Sequence, residues 1–344
     1  MNLEFKQYTN EDYDSWEEIN KDAGGTFLTS RPWIEFQESL GRNTDSYLIY
    51  SEDELVGNIY IEIYRRKIAK FAYSPYGPVI ESSAIGNQPA IIFKEIKKFQ
   101  KKYIRENNLN AFRMDPWIEV RFRNIFLNLG YKISMAPTQA KYVWEVDISK
   151  PEDEILASLK KVTRYNVRSS EKAGIEVEKI SDVKQIDDFY EILSTTFKRH
   201  GFASFSKEYF VEQFNLLEEK GMCNLYLTKY NDKYISGALI NIYGDTAYYS
   251  HGGSVNDKEL QKFGASYLLH WEIIKDLKKI GIEKYNMWGV VPEDSNHPMS
   301  GVSDFKRKFP GEEIDLVGGL DLPNGWKYKI QRLAEWWSYR NDRY

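Results

Sequence analysis

The feature that most constrains this chain is a series of elements spelled twice. In the first half, a polar and aromatic opening over residues 13–33 leads to ELVGNIYIEI (54–63), KFAYSPYGPV (70–79), a Lys-rich segment over about 90–107 and NAFRMDP (110–116). In the second half, QIDDFYEILSTTFKRHG (185–201) and SKEYF (206–210) lead to YISGALINIY (234–243), TAYYSHGGS (246–254), SYLLHWEIIKDLKKIG (266–281) and EKYNMWG (283–289). Each copy reads as helix, strand with a glycine near its start, aromatic strand ending in glycine, helix and strand. Period-two alternation in ALINIY argues for the strand, and the spacing of Leu268, Trp271, Ile274 and Leu277 for the helix. Solenoid repeats have periods of only about 20 to 50 residues, so a repeat of roughly 150 is a duplicated domain. Mixed α/β architecture follows.

At 344 residues the chain exceeds the usual size of a single hydrophobic core, which agrees with two domains. With 42% apolar and 28% charged residues, it has the balance of a globular protein. The single cysteine, Cys223, has no internal disulfide partner and reads as a small packed side chain in a reducing, cytoplasmic setting. The opening MNLEFKQYTNEDYDSW is acidic where a secretory signal needs a basic start, and no apolar run approaches the roughly 20 residues of a spanning helix. Net charge is −4, from 47 basic and 51 acidic residues, so a polyanionic partner requires a local basic patch.

Such a patch stands between the copies, in SKPEDEILASLKKVTRYNVRSSEKAGIEVE (149–178). Ser149 with Glu152 fits a capping box, Pro151 suits a first turn and Gly174 a helix end. Lys160, Arg164, Arg168 and Lys172 recur every four residues with Lys161 beside them, and Ile155, Leu159 and Val162 are expected on the buried face. A solvated helix face and a surface for a phosphate backbone both fit the stripe.

The order TRYNVRSSEKAGIEV, FKRHGFASFSKEYF, YISGAL, YYSHGGS and SDFKRKFPGEE resembles the Fem family of peptidoglycan bridge-forming aminoacyltransferases. The similarity spans nearly the whole chain, with residues 160–311 as its specific part. It implies two tandem domains of the acetyltransferase-like GNAT fold. The domains expected are 1–147 with about 322–344, and 148–321, the terminal helix with Trp336 and Trp337 returning to pack on the first. No sustained heptad pattern for a coiled-coil arm is present, so the chain resembles the compact, armless FemX-like form. The resemblance further implies aminoacyl-tRNA as donor. The acceptor implied is the third-position diamine of the stem peptide on a lipid-linked or UDP-linked muropeptide. No cofactor or metal is called for. A cytoplasmic monomer with peripheral contact at the inner membrane face is the expected form.

An aminoacyl ester is already activated, so an attacking amine needs to be neutral, aligned and met by charge stabilisation for the developing oxyanion. No covalent enzyme intermediate is required, and no G-x-S-x-G elbow or metal-spaced His/Cys cluster stands among the four histidines. A fixed ammonium would supply about 3 kcal/mol if it equals one oxyanion donor. By the resemblance, Lys306 in SDFKRKF is that ammonium, and Phe305 packs under its stem or under the tRNA terminal base. Surface charge shared with Arg307 and Lys308 is the other reading.

Tyr249, His251 and Gly252 lie on a strand whose glycines admit a substrate to the backbone. The family tyrosine falls at His251, leaving hydrogen bonding, packing and solvent exposure all open there. Asp115 at the end of FRMDP is either a receiver for the acceptor's proton or a strand-end cap. Arg199 fits a phosphate contact or a helix-end cation. Tyr76 and Trp33 complete the candidate substrate-binding set, and Lys160, Lys161, Arg164 and Arg168 the tRNA-binding set. Basic residues that the FemX-like form uses for a nucleotide-linked acceptor would align near Gln37 and Ser204, neither of them basic, which favours a lipid-linked one. Two rivals remain. One is an acyl-CoA N-acyltransferase with Gln261–Ser266 as a partial pyrophosphate turn, for which helix capping also accounts. The other is a non-catalytic cell-wall scaffold.

Overall fold

The computed structural model describes residues 2–66, 69–86, 88–200, 205–293 and 295–341, and for 199–200 and 338–341 the backbone only. In chain order the strands are β1 (Leu3–Gln7), β2 (Thr44–Ser51), β3 (Glu54–Arg65), β4 (Lys70–Tyr76), β5 (Val79–Ile80), β6 (Ala111–Pro116), β7 (Lys132–Ile133), β8 (Tyr142–Asp147), β9 (Glu176–Ile180), β10 (Cys223–Tyr230), β11 (Lys233–Tyr243), β12 (Thr246–Ser254), β13 (Lys284–Val290), β14 (Glu312–Asp315) and β15 (Leu320–Pro323). The α-helices are α1 (Tyr13–Asp22), α2 (Arg31–Ser39), α3 (Ser82–Ile85), α4 (Pro89–Glu106), α5 (Arg123–Asn128), α6 (Glu152–Ser158), α7 (Lys161–Lys172), α8 (Ile186–His200), α9 (Lys207–Leu217), α10 (Lys258–Gln261), α11 (Ala265–Lys279), α12 (Ser300–Lys306) and α13 (Lys327–Asn341).

The chain divides into two compact units, Met1–Lys141 with Asp315–Tyr344, and Tyr142–Ile314. The first unit's sheet runs β1-β2-β3-β4-β6-β15-β7, with β5 on β3. The second unit's sheet, read from its other edge, runs β9-β10-β11-β12-β13-β8-β14. Position by position the two orders correspond, and in each the fourth and fifth strands are parallel. The sixth strand comes from outside the repeat both times: β15 pairs with β6 from beyond the second unit, and β8, the first strand of the second unit, pairs with β13 from ahead of the second copy. These pairings move the unit boundaries from the expected 148 and 321 to 142 and 314.

In the second unit, β11 presents Ala238, Ile240 and Ile242 to a core shared with Leu268, Ile273, Ile274 and Leu277 of α11. Its opposite face is buried too, and there Asn241 accepts from Gln213 of α9 and donates to Ser250 of β12. The strand alternates between two covered faces rather than between core and water. The first unit builds its core from β3, β6 and the apolar face of α4, with Ile59, Ile61, Phe93, Ile96 and Phe112 fully buried.

The basic segment departs from expectation. It is two helices, because Leu159 and Lys160 adopt extended backbone between α6 and α7. Ser149 does not cap; its hydroxyl donates to Asp147. Thr163, Val167 and Ser170 take the buried face of α7, and Val162 is 47% exposed.

Candidate functional site

In the second unit the parallel pair β12–β13 comes apart. Register holds only from Thr246↔Lys284 to Tyr248↔Asn286, although β12 continues to Ser254 and β13 to Val290. The corresponding pair of the first unit stays closed, from Phe71↔Ala111 to Tyr76↔Pro116. Two irregularities lie at the parting. The β11–β12 register shifts at Ser250, and Trp288 of β13 sits at φ 67°, a left-handed conformation that costs a bulky residue roughly 1–3 kcal/mol and is concentrated at functional sites. Asn286 supports the second by accepting from the Trp288 backbone N–H and donating to Glu145.

The shift at Ser250 turns Tyr249 and His251 to opposite faces, where regular alternation would align them. Tyr249 faces α11, its ring 4.5 Å from that of His270 and nearly perpendicular to it. A Cβ on Gly252 would lie 2.3 Å from the Tyr249 hydroxyl, so the ring lies over this glycine. His251 instead packs edge-on against Phe210 at 5.0 Å and Phe205 at 5.8 Å. Burial holds its pKa down to about 4, so of the three readings open for His251 the structure gives packing as a neutral ring.

A pocket of about 300 Å³ occupies this region, with Tyr249, Gly252, His270 and Phe305 in its wall. Gly237, Gly253 and Thr196 line it as well, and a Cβ on Gly253 would meet the Thr196 hydroxyl at 2.3 Å. Ser266, in the first turn of α11, also lines the pocket, so the positive end of that helix borders it. Gly264 just ahead has φ 74°, so backbone geometry alone accounts for the glycine in the partial pyrophosphate turn.

Lys306 closes α12 behind Phe305. It is 5% exposed, which removes the surface-charge reading, and its Nζ donates to the Gly289 carbonyl at 2.7 Å and stands 5.9 Å from the centre of the Tyr249 ring. Burial lowers its pKa from 10.5 to about 7. Arg307 is buried as well, donating to Val291 O and Glu313. Phe305 belongs to an aromatic group with Tyr267, His270 and Phe309.

Sequence reasoning passed over His270. Its Nδ1 shares a 2.7 Å hydrogen bond with the Tyr285 hydroxyl, and burial, aided by Lys306, holds its pKa down to about 3. The signal was present: a histidine inside the apolar run of α11 needs a polar partner.

The remaining candidates lie elsewhere. Asp115 in the first unit is 2% exposed and accepts from the Tyr73 hydroxyl and from the backbone N–H groups of Thr138 and Gln139. That is the cap's geometry. Its Oδ1 has no partner among the described residues, and burial raises its pKa to about 6. Tyr76 is buried, its hydroxyl donating to Ala140 O and its ring perpendicular to Trp117. Trp33, 6% exposed and packed between Phe27 and Phe36, is a core residue, contrary to the substrate-binding role expected. Gln37 is buried, while Ser204 and the Arg199 side chain lie outside the described residues. Of the basic stripe, Arg164 folds back onto the carbonyls of Ala157 and Leu159, closing the end of α6. Lys160, Lys161 and Arg168 are exposed and make no ion pair among the described residues.

Among the described residues no group of three or more His, Cys, Asp or Glu is arranged to hold a metal.

The FemAB family model matches residues 126–227 and 212–336. The chain belongs to the FemAB family. Similar proteins include the lipid II:glycine glycyltransferase of Staphylococcus aureus (strain MRSA252), 25% identical over 281 residues that make up 76% of this chain and 64% of that protein. The lipid II:glycine glycyltransferase of Staphylococcus haemolyticus (strain JCSC1435) is 22% identical, with 93% and 92% covered. The match therefore spans 64% of the length of the S. aureus relative. Among solved structures, FemX superposes with a TM-score of 0.79 at 20% identity over 96% of this chain and 100% of its own. A tandem GNAT protein from the clavulanic acid biosynthesis pathway gives 0.58 at 12% identity, with 94% and 99% covered. The fold is thus that of tandem GNAT-like domains, each a mixed sheet flanked by helices.

Proposed function

We propose that this FemAB protein transfers an amino acid of the glycine, alanine or serine class from aminoacyl-tRNA to the third-position diamine of a peptidoglycan stem peptide, with a lipid-linked precursor as acceptor. The observation that carries the reading is the pocket beside the parted β12–β13 strands, with Lys306 Nζ 5.9 Å from the ring of Tyr249 in its wall. The names of the staphylococcal relatives support the chemistry and the lipid-linked acceptor.

In this mechanism the neutral acceptor amine attacks the ester carbonyl, forming the amide C–N bond and breaking the C–O bond to the ribose. The amine loses a proton and the ribose oxygen gains one. Lys306 in its charged form stabilises the oxyanion, and its lowered pKa keeps both protonation states accessible near neutrality. Tyr249, Gly252 and Phe305 shape the aminoacyl end of the pocket. Lys160, Lys161 and Arg168 meet tRNA phosphates, the positive end of α11 favours an anionic group, and the chain acts as a monomer on the cytoplasmic side where aminoacyl-tRNA is found.

The test is turnover by the full chain with glycyl-, alanyl- and seryl-tRNA against lipid-linked and UDP-linked muropeptides, with products weighed by mass spectrometry. A branch on the third residue of the lipid-linked acceptor is the expected product. Turnover with acetyl-CoA instead, or none with any donor, overturns the reading in favour of an acyl-CoA enzyme or a scaffold.

A further inference from the structure

Helix α13 is inside out. The residues it turns toward the first unit are polar: Tyr328 donates to Asp321, Gln331 accepts from Asn110, and Glu335 pairs with Arg113 at 2.8 Å. Tyr328 and Gln331 are 2% and 1% exposed. The apolar residues point away. Ile330, Leu333 and Trp337 are 45%, 59% and 60% exposed, and Trp326, one residue ahead of the helix, is 66% exposed. At about 100° per residue, the three helical positions fall within roughly 60° of one another, opposite the anchored side. The expected packing of this segment through its apolar side is thereby corrected: the helix docks by hydrogen bonds and an ion pair.

Exposing a continuous row of Trp, Ile and Leu while burying Tyr and Gln and turning Glu335 inward reverses the usual preference of a helix on a globular surface. A patch of this kind marks an interaction face. Its charges identify the partner. Lys327 and Lys329 flank the row on its two sides, both exposed and without an ion pair among the described residues. Arg332 donates to the Ile133 carbonyl, which brings exposed Lys132 and the 51% exposed Ile133 beside the helix. The one acid in the described side chains of α13, Glu335, is turned inward onto Arg113. In a chain of net charge −4, this face is locally basic.

The geometry points to α13 as a helix that lies in the headgroup region of an anionic phospholipid bilayer. Trp326 and Trp337 sit at the interface, Ile330 and Leu333 enter the acyl boundary, and the lysines meet lipid phosphates. The helix lies on the membrane and does not cross it, since no helix among the described residues is long and apolar enough to span. A second copy of the chain is the less favourable occupant, because a two-fold contact through this face would set the same lysines against each other. The inference stands on α13 and does not depend on the reaction proposed above.

The experiment is sedimentation of the full chain with vesicles of phosphatidylglycerol and phosphatidylethanolamine, and with vesicles of phosphatidylcholine alone. Binding to the anionic vesicles, weakened by salt, is expected, with little to the neutral ones. Replacing Ile330, Leu333 and Trp337 together by Ser should reduce partitioning by at least about tenfold, since each apolar side chain withdrawn from water contributes. Lys327→Gln and Lys329→Gln should each reduce it by about fivefold. Unchanged thermal melting of the triple variant, whose altered side chains face outward, confirms that folding is intact. No association with anionic vesicles, or equal association by the folded triple variant, overturns the proposal. So does a concentration-dependent dimer in sedimentation velocity that the triple variant abolishes, which would assign the face to a second copy.

Discussion

Lys306 donates from Nζ to the carbonyl of Gly289, at 2.7 Å, one residue beyond the left-handed Trp288. The bond links the end of α12 to the stretch of β13 where β12 is no longer its neighbour. Where the first unit continues a parallel ladder, the second has a pocket walled by Tyr249, with the Lys306 amine 5.9 Å from that ring. That difference between two otherwise corresponding sheets is the reason for proposing the chemistry in the second.

Lys306→Met should lower kcat by about 10²–10³, the loss typical of one oxyanion donor, with little change in KM for donor or acceptor. Lys306→Arg should restore only part of the rate, because a planar guanidinium does not fit the place of a compact ammonium. Lys308→Met serves as the control and should stay near wild type. A raised KM for aminoacyl-tRNA with kcat intact would make Lys306 a phosphate contact instead.

The same lysine should leave a mark on stability. Its folded pKa is about 7 against 10.5 for the free side chain, so between those values the unfolded chain binds the proton that the folded chain has released. Wild-type stability should therefore rise relative to Lys306→Met from about pH 7 toward pH 10.5, and the difference should be flat below pH 6. Urea melts across that range measure it directly. A pH-independent difference would mean that Lys306 is solvated in the folded protein.

Asp115→Asn should keep the acceptors for Tyr73, Thr138 and Gln139 while removing a buried charge whose Oδ1 is unpaired. Because the folded pKa is raised to about 6, the carboxyl favours folding below pH 3.8 and loses that contribution as pH rises through about 6. The Asn variant should be more stable than wild type at pH 7 by about 1–3 kcal/mol, with activity retained. Loss of turnover without loss of stability would restore the proton-receiving role.

On the basic segment, Lys161→Gln with Arg168→Gln should weaken tRNA binding and reduce the slope of log K against log salt by about 0.7–0.9 for each phosphate that is no longer neutralised. Arg164→Gln should behave differently, lowering the melting temperature by freeing the carbonyls at the end of α6 while leaving the salt slope in place. A salt slope in the double variant equal to that of Arg164→Gln would return α7 to a solvated face.

The doubled series of elements was legible in the sequence because strand and helix periodicity are local. ALINIY and the Leu268–Leu277 spacing need only their own neighbours to declare themselves. Lys306 was visible through the motif around it. Its burial was not, since nothing in SDFKRKF records that Gly289, 17 positions away, would offer a carbonyl. The same holds for β8 and β15, whose place in their sheets depends on hydrogen bonds to strands remote along the chain, so the unit boundaries lay elsewhere than the repeat suggested. Ser250 displaced His251 to the opposite face because one extra residue in a strand shifts every following side chain, and alternation alone cannot show where the extra residue sits. In α13 the sequence determined an amphipathic helix. Only the tertiary structure determined which side faces inward, because Arg113, Asp321 and Asn110 offered its polar side buried partners that outweigh the usual pull of apolar surface toward the core.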